Sequence, residues 1–312
     1  MKRILVLAIV AIALPLAAQV NDTYVIPAVG NTGGANFTRW ATQLSVFNPQ
    51  TKYDLRVSVV FLPTGGATPL EVLITVPANG SWSSDNIIGD VFERSGVTGS
   101  LLAATFPEDN PAVPNDVLSR SFLVVANTYN NARSGTFGQT IPGTWTGLQD
   151  IDTDGISSIA HGIRNGNSIG YRTNVGAVNL GRCSVTMYVT VFDEDGRTVR
   201  NNIPFGLPPM GHLQQTLPVI IDRGSVEFYI DDPCANDANN YAVVFPYTSM
   251  IDNLSGDPSY QSPVLLASPS VLFKQGVKAE AATSLGKKID LTFARRLRGV
   301  AVSLGEVTAR RH

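Results

Sequence analysis

Charge is scarce in this sequence: only 15% of its 312 residues are Asp, Glu, Lys or Arg. Glu and Lys, which populate exposed helix faces, are few beside Gly, Asn, Thr, Ser and Val. That balance favours short strands joined by turns over helices. Histidine occurs only as His161, His212 and His312, so a histidine-rich metal site is excluded. There is no H-E-x-x-H, no P-loop and no paired-cysteine zinc spacing. Long apolar runs are also missing, apart from the fifteen residues Ile4 to Ala18. A membrane-spanning helix needs about 20.

That run follows Met1-Lys2-Arg3 and ends in "LPLAAQ". A positive start, a short apolar stretch and small residues read as a secretory signal peptide, residues 1–18, cut near Ala18. An uncleaved anchor is the alternative that the length disfavours. No Cys follows the run, which argues against a lipoprotein. The expected location is therefore secreted or cell-surface. Charge is distributed unevenly along the exported part. Residues 19–262 carry 12 basic and 22 acidic side chains, a net of −10, and residues 263–312 carry 9 and 3, a net of +6. The acidic body argues against nucleic acid as a partner.

What the sequence has instead is a repeat. "RWATQLSVFNP" (39–49) lies over "GYRTNVGAVNL" (170–180), matching Thr42 with Thr173 and Asn48 with Asn179 at an offset of 131. The same offset matches Val60 with Val191, Phe61 with Phe192, Gly65 with Gly196, Pro77 with Pro208 and Gly80 with Gly211. Further on, Gly99 pairs with Gly224 at 125 and Ser134-Gly135 with Ser255-Gly256 at 121, as loop deletions would produce. Each copy alternates apolar and polar residues over short runs separated by turn residues, the pattern of a sandwich or barrel. "IIGDVF" (87–92) is the one stretch spaced like a helical turn.

The shared order is W/Y-x-T, an Asn closing the strand, V-F, a turn Gly, then P-x-x-G. It resembles a group of uncharacterised secreted bacterial proteins with tandem immunoglobulin-like β-sandwich repeats. The likeness covers both repeats and not the tail. It implies export and an all-β fold of two tandem immunoglobulin-like β-sandwich domains, and it carries over no catalytic residue. The expected organisation is a first repeat at 19–148, an acidic linker at 149–155, a second repeat at 156–262 and a basic C-terminal tail at 263–312.

Several motifs bear on chemistry. "GNSIG" around Ser168 matches G-x-S-x-G, but a strand follows it where that motif requires a helix, so its glycines read as loop punctuation. "SLGK" (284–287) matches S-x-x-K without its companion motifs. "DIDTDG" places Asp150, Asp152 and Asp154 at alternate positions before Gly155, the start of a calcium loop. His161 stands where an EF-hand needs a bidentate Glu, so only an open calcium loop or a solvated acidic linker remains. Cys183 and Cys234, an even count in an exported chain, favour a disulfide over two buried thiols. Trp40, Trp82 and Trp145, with Tyr129, Tyr171, Tyr229 and Tyr241, are read as packing residues before a sugar platform. An exposed face shared by Trp82 and Trp145 would favour sugar.

The expected function is a non-catalytic binding or structural protein whose partner is an extracellular protein or glycan. A carbohydrate-binding or carbohydrate-active module, calcium-dependent through the junction acids, is the alternative. The tail reads either as an edge-strand pair or as a flexible basic arm for an acidic or anionic surface.

Overall fold

The computed structural model describes residues 21–34, 38–132, 135–149, 156–267 and 287–307. The signal-peptide residues 1–18, the acids Asp150, Asp152 and Asp154, and part of the basic tail lie outside the described residues.

The fold is all-β. The first repeat contributes β1 (Thr23–Gly33), β2 (Arg39–Phe47), β3 (Leu55–Pro63), β4 (Leu70–Val76), β5 (Ser81–Ser84), β6 (Val97–Ala104), β7 (Leu123–Ala132) and β8 (Gly135–Pro142). Strands β4-β3-β6-β1 form one antiparallel layer, and β2 pairs with β5, β7 and the end of β1 in the other, with β8 beyond β7. β1 stays paired with β6 through a bulge between Ile26 and Val29 as far as Asn31, and then pairs Thr32 with Trp40 of β2, so one strand ties both layers. "IIGDVF" does form one helical turn at Ile87–Val91, and a second short turn, α1 (Val117–Arg120), precedes β7.

After the short β9 (Thr146–Gly147), the second repeat supplies β10 (Ile156–Asn165), β11 (Tyr171–Asn179), β12 (Val185–Phe192) and β13 (Thr198–Leu207). It continues with β14 (Gly211–Thr216), β15 (Ile221–Asp231), β16 (Val244–Asp252), β17 (Pro258–Gln261) and β18 (Val264–Ala267). Its layers are β13-β12-β15-β10-β18 and β14-β11-β16-β17. Each principal pairing of the first repeat recurs: β1 with β6 as β10 with β15, β2 with β7 as β11 with β16, β3 with β4 as β12 with β13.

The aligned residues have aligned tasks. Asn48 Nδ2 donates to Tyr53 O and Val76 O while its Oδ1 accepts from Gln50 N. Asn179 does the same with Cys183 O, Pro208 O and Gly181 N. Both asparagines are fully buried, so these bonds replace the water that strand-end backbone would otherwise require. Gly99 and Gly224 also match. A Cβ on either would strike the carbonyl oxygen of the strand beside it, Leu62 O or Phe192 O.

That last correspondence corrects one part of the alignment. Leu55, Val57, Val59 and Phe61 point into the first core, and Val185, Met187, Val189 and Val191 into the second. Phe61 therefore matches Val191, an offset of 130 rather than 131. The turn after Asn48 is one residue longer than the turn after Asn179, and in a strand a one-residue slip reverses every side chain.

Three cores result. One fills each sandwich, and the third lies between them. Val60, Leu62, Leu102 and Phe106 face it from the first repeat, with Val178, Leu180, Val243 and Phe245 from the second. The C-terminal segment completes it, in place of a free basic arm. Strand β19 (Lys287–Lys288) pairs with β9, helix α2 (Leu291–Arg298) inserts Phe293, Ala294 and Leu297, and β20 (Val302–Val307) adds in parallel to β4. Asp290 caps α2 by accepting from Thr292 N at 2.8 Å. The basic residues meet acids of the body: Arg298 reaches Glu71 at 2.8 Å and Asp109 at 2.6 Å, and Arg295 reaches Glu108 at 3.2 Å. The charge asymmetry of the sequence is thus partly neutralised within the chain. Val264–Ala267, also counted with the tail, pairs with β10 as the edge of the second repeat.

Candidate functional site

The β14-β11-β16 layer presents one face to the first repeat, and its character changes rung by rung. Val178 and Phe245 belong to the dry third core. On the rung of Val178 also sits His212, and on the next come Gln214, Gly176 and Tyr247. Asn174 and Ser249 follow, then Arg172 and Ile251. Where the layers part, these last residues face Thr98, Thr128, Gln139 and Trp40 of the first repeat across a cleft of about 340 Å³.

A chain of hydrogen bonds runs from one wall of this cleft to the other. Thr98 Oγ1 lies 2.8 Å from Thr64 Oγ1, which lies 2.7 Å from His212 Nδ1. His212 Nε2 is 2.8 Å from the Tyr247 hydroxyl, which donates to Gln214 Oε1 at 2.8 Å. Tyr247 has one proton and gives it to Gln214, so His212 Nε2–H must be the donor to Tyr247. Nδ1 is then the acceptor from Thr64, and Thr64 accepts from Thr98. The imidazole is neutral: burial holds its pKa down at about 3. The Tyr247 hydroxyl is raised, first by burial and then by neighbouring Tyr260. Gly176 lies directly beneath the Tyr247 ring, where a Cβ would overlap it.

The relay turns Gln214 so that its oxygen is occupied and its NH2 is not. Two further amides are held alike. Gln139 Oε1 accepts from Ser249 Oγ at 3.2 Å, and Asn174 Oδ1 accepts from Thr216 Oγ1 at 3.0 Å. Among the described residues none of these three NH2 groups has a protein acceptor. Arg172 adds a guanidinium that donates to Asn253 Oδ1 at 2.9 Å and forms no ion pair among the described residues. Burial lowers its pKa from the usual arginine value. Among the described residues no carboxylate lines the cleft. It is a surface of donors awaiting oxygen acceptors.

The residues singled out in the sequence lie mostly elsewhere. Cys183 and Cys234 form the disulfide, with Cα atoms 6.3 Å apart, joining the ends of neighbouring β12 and β15. Among the described residues no group of three or more His, Cys, Asp or Glu side chains could hold a metal ion. Ser168 is exposed in a short 3₁₀ turn, while both ring nitrogens of buried His212 are engaged, so the two form no catalytic pair. Trp82 is buried in the first core, and Trp145 packs edge-on against Tyr24 at 5.5 Å, so they share no exposed platform. Tyr171 lies beneath the Arg164 guanidinium at 4.2 Å. Among the described aromatic residues Trp40 alone lines the cleft. Sequence reasoning missed Arg172, Asn174, Gln214 and Gln139. Their signal was faint: polar residues at alternate strand positions, indistinguishable from a solvated sheet face.

No protein family and no curated protein matches this chain. Among solved structures it is similar to PNGase F, a glycosylasparaginase from Flavobacterium meningosepticum. The identity is 9%, over 78% of this chain and 93% of that one, with a TM-score of 0.27. A lectin from Pleurotus ostreatus, solved in complex with GalNAc, is similar at 10% identity over 85% and 92%, with a TM-score of 0.23. Likeness at this level carries no argument about activity. No helix among the described residues is long and apolar enough to cross a membrane.

Proposed function

We propose that this chain is an exported, non-catalytic binding protein made of two immunoglobulin-like sandwiches, with the cleft between them as its ligand site. The observation that carries the reading is the set of pre-oriented donors from both repeats. Gln139 comes from one and Arg172, Asn174 and Gln214 from the other, so the assembled pair makes a surface neither repeat has alone. Donors held by their own second hydrogen bonds lose little freedom when a ligand arrives. The immunoglobulin-like assignment is supported by strand pairing: β1–β6, β2–β7 and β7–β8 correspond to the B–E, C–F and F–G pairs of that fold, and the second repeat has the same set. Export rests on residues 1–18 alone.

The test is a thermal-shift screen of the mature chain against extracellular polymers, saccharides and peptides. A true ligand raises the melting temperature by mass action, and Asn174→Leu together with Gln139→Leu removes the rise, measured from each protein's own unliganded melt. A ligand whose stabilisation survives that pair of substitutions binds elsewhere, and the cleft is then not the site.

A further inference from the structure

We infer that the cleft takes a carboxylate-bearing saccharide, with its carboxylate on the Arg172 guanidinium and its hydroxyl oxygens on the amides of Gln139, Asn174 and Gln214. This rests on the cleft being the ligand site and adds the class of ligand.

Arg172 supplies the charge argument. Arg120 and Arg298, whose head groups also turn inward, have acids: Arg120 has Asp22 at 3.4 Å, and Arg298 has Glu71 and Asp109. Arg296, which forms no ion pair among the described residues, lies instead over the Phe293 ring at 5.2 Å and donates to Ala238 O. Arg172 is partly buried, is held by the neutral carbonyl of Asn253, and among the described residues meets no carboxylate. A desolvated cation without an anion is unfavourable, and a planar guanidinium is matched by a carboxylate through two parallel hydrogen bonds. A bound anion offsets the desolvation that lowers the Arg172 pKa, because an adjacent negative charge favours the charged guanidinium.

The rest of the lining sets the remainder of the ligand. The carboxamide NH2 groups suit a molecule dense in oxygen acceptors, while the hydroxyls of Thr128 and Ser249, whose protons go to Thr42 and Gln139, are left to accept from its hydroxyl groups. The Trp40 side chain offers an apolar wall against which the C–H faces of a sugar ring can pack. A volume of about 340 Å³ is at the small end of the roughly 300–1,000 Å³ of small-molecule sites, so the site suits a short saccharide or one end of a longer chain.

Titration calorimetry of the mature chain would use two matched pairs: oligogalacturonate with its methyl ester, and sialyllactose with its methyl ester. Within each pair the saccharide scaffold is shared and the carboxylate charge is present in only one member. We expect at least one acidic member to bind, more weakly as salt rises, and its neutral partner to bind at least about tenfold less tightly, the loss of one charge-assisted contact. Arg172→Gln should bring the acidic member down to its neutral partner while leaving the melt in place. Equal binding within both pairs, or binding indifferent to Arg172→Gln, overturns the inference but leaves the cleft as a ligand site. Binding of none of the four probes also overturns it. Capture of the wild-type chain, but not of Gln139→Leu/Asn174→Leu, on the native cell surface then decides the parent reading separately.

Discussion

Replacing Phe293 by Ala tests whether the C-terminal segment is structural. Phe293 is 3% exposed, in the third core with Ile289, Ala294 and Leu297, and its ring meets Tyr241 edge-on at 5.6 Å. Across it lie Val60, Leu62, Leu102 and Phe106 of one repeat and Val178, Leu180, Val243 and Phe245 of the other. Truncating a buried Phe to Ala costs about 3–5 kcal/mol, from lost transfer energy and the cavity left behind. Domain stabilities are about 5–15 kcal/mol, so this is a large fraction of the whole. At about 2–4 °C per kcal/mol for chains of this size, the melt should fall by about 6–20 °C. Because the side chain joins both repeats, calorimetry should show the lower transition for both, and protease should cut earlier between residues 287 and 307. Val300→Ala, at a half-exposed position, is the control and should change little. A Phe293→Ala protein that melts with the wild type, its C-terminus cleaved while both repeats stay folded, would refute the reasoning and restore the flexible basic arm.

Arg298→Met leaves Glu71 buried beside Ser58 without its cation, and should cost about 2–4 kcal/mol in urea unfolding. The figure is below that of a fully buried pair because 27% of the Arg298 side chain stays accessible. Adding Glu71→Gln should recover part of it. Thiol labelling of the denatured, unreduced protein should find no free cysteine, and reduction should remove about 4 kcal/mol, the chain-entropy value for a separation of 51 residues. For His212 the folded pKa of about 3 lies below its ordinary 6.5, so the unfolded chain binds the extra proton between those values. The stabilisation from keeping it neutral is complete above pH 6.5 and is lost at up to about 1.4 kcal/mol per pH unit as pH falls toward 3. His212→Gln should flatten that part of the stability–pH curve, and an unchanged slope assigns it to other groups. If Asp150, Asp152 and Asp154 hold calcium, millimolar calcium raises the melt and Asp152→Asn weakens the response; a calcium-indifferent melt leaves a solvated linker.

Much of the local structure was legible. Alternation over short runs and regularly spaced turn residues gave the strands, because a strand exposing one face must alternate. The repeat was readable because both copies solve the same backbone problems with the same residues, such as Asn48 and Asn179 at strand ends. Cysteine parity anticipated the disulfide. The helix in the tail was misread. Ile289, Leu291 and Phe293 alternate like a strand, yet Ile289, Phe293 and Leu297 also recur at helical spacing, and the deciding signals were the cap Asp290 and Gly299 at the far end.

By itself, then, the sequence determined which segments pair with themselves: strands, turns, the duplicated unit and the bridge, all set by residues near in sequence or by simple periodicity. Tertiary structure decided what the outward faces meet. An outward side chain on a strand has the same pattern whether it faces water, another domain or a ligand. Only packing made Val60 and Val178 core, buried His212 as a neutral link, and left Gln139, Arg172, Asn174 and Gln214 facing one cleft. Those four lie on three strands drawn from two repeats, and no spacing along the chain encodes that meeting.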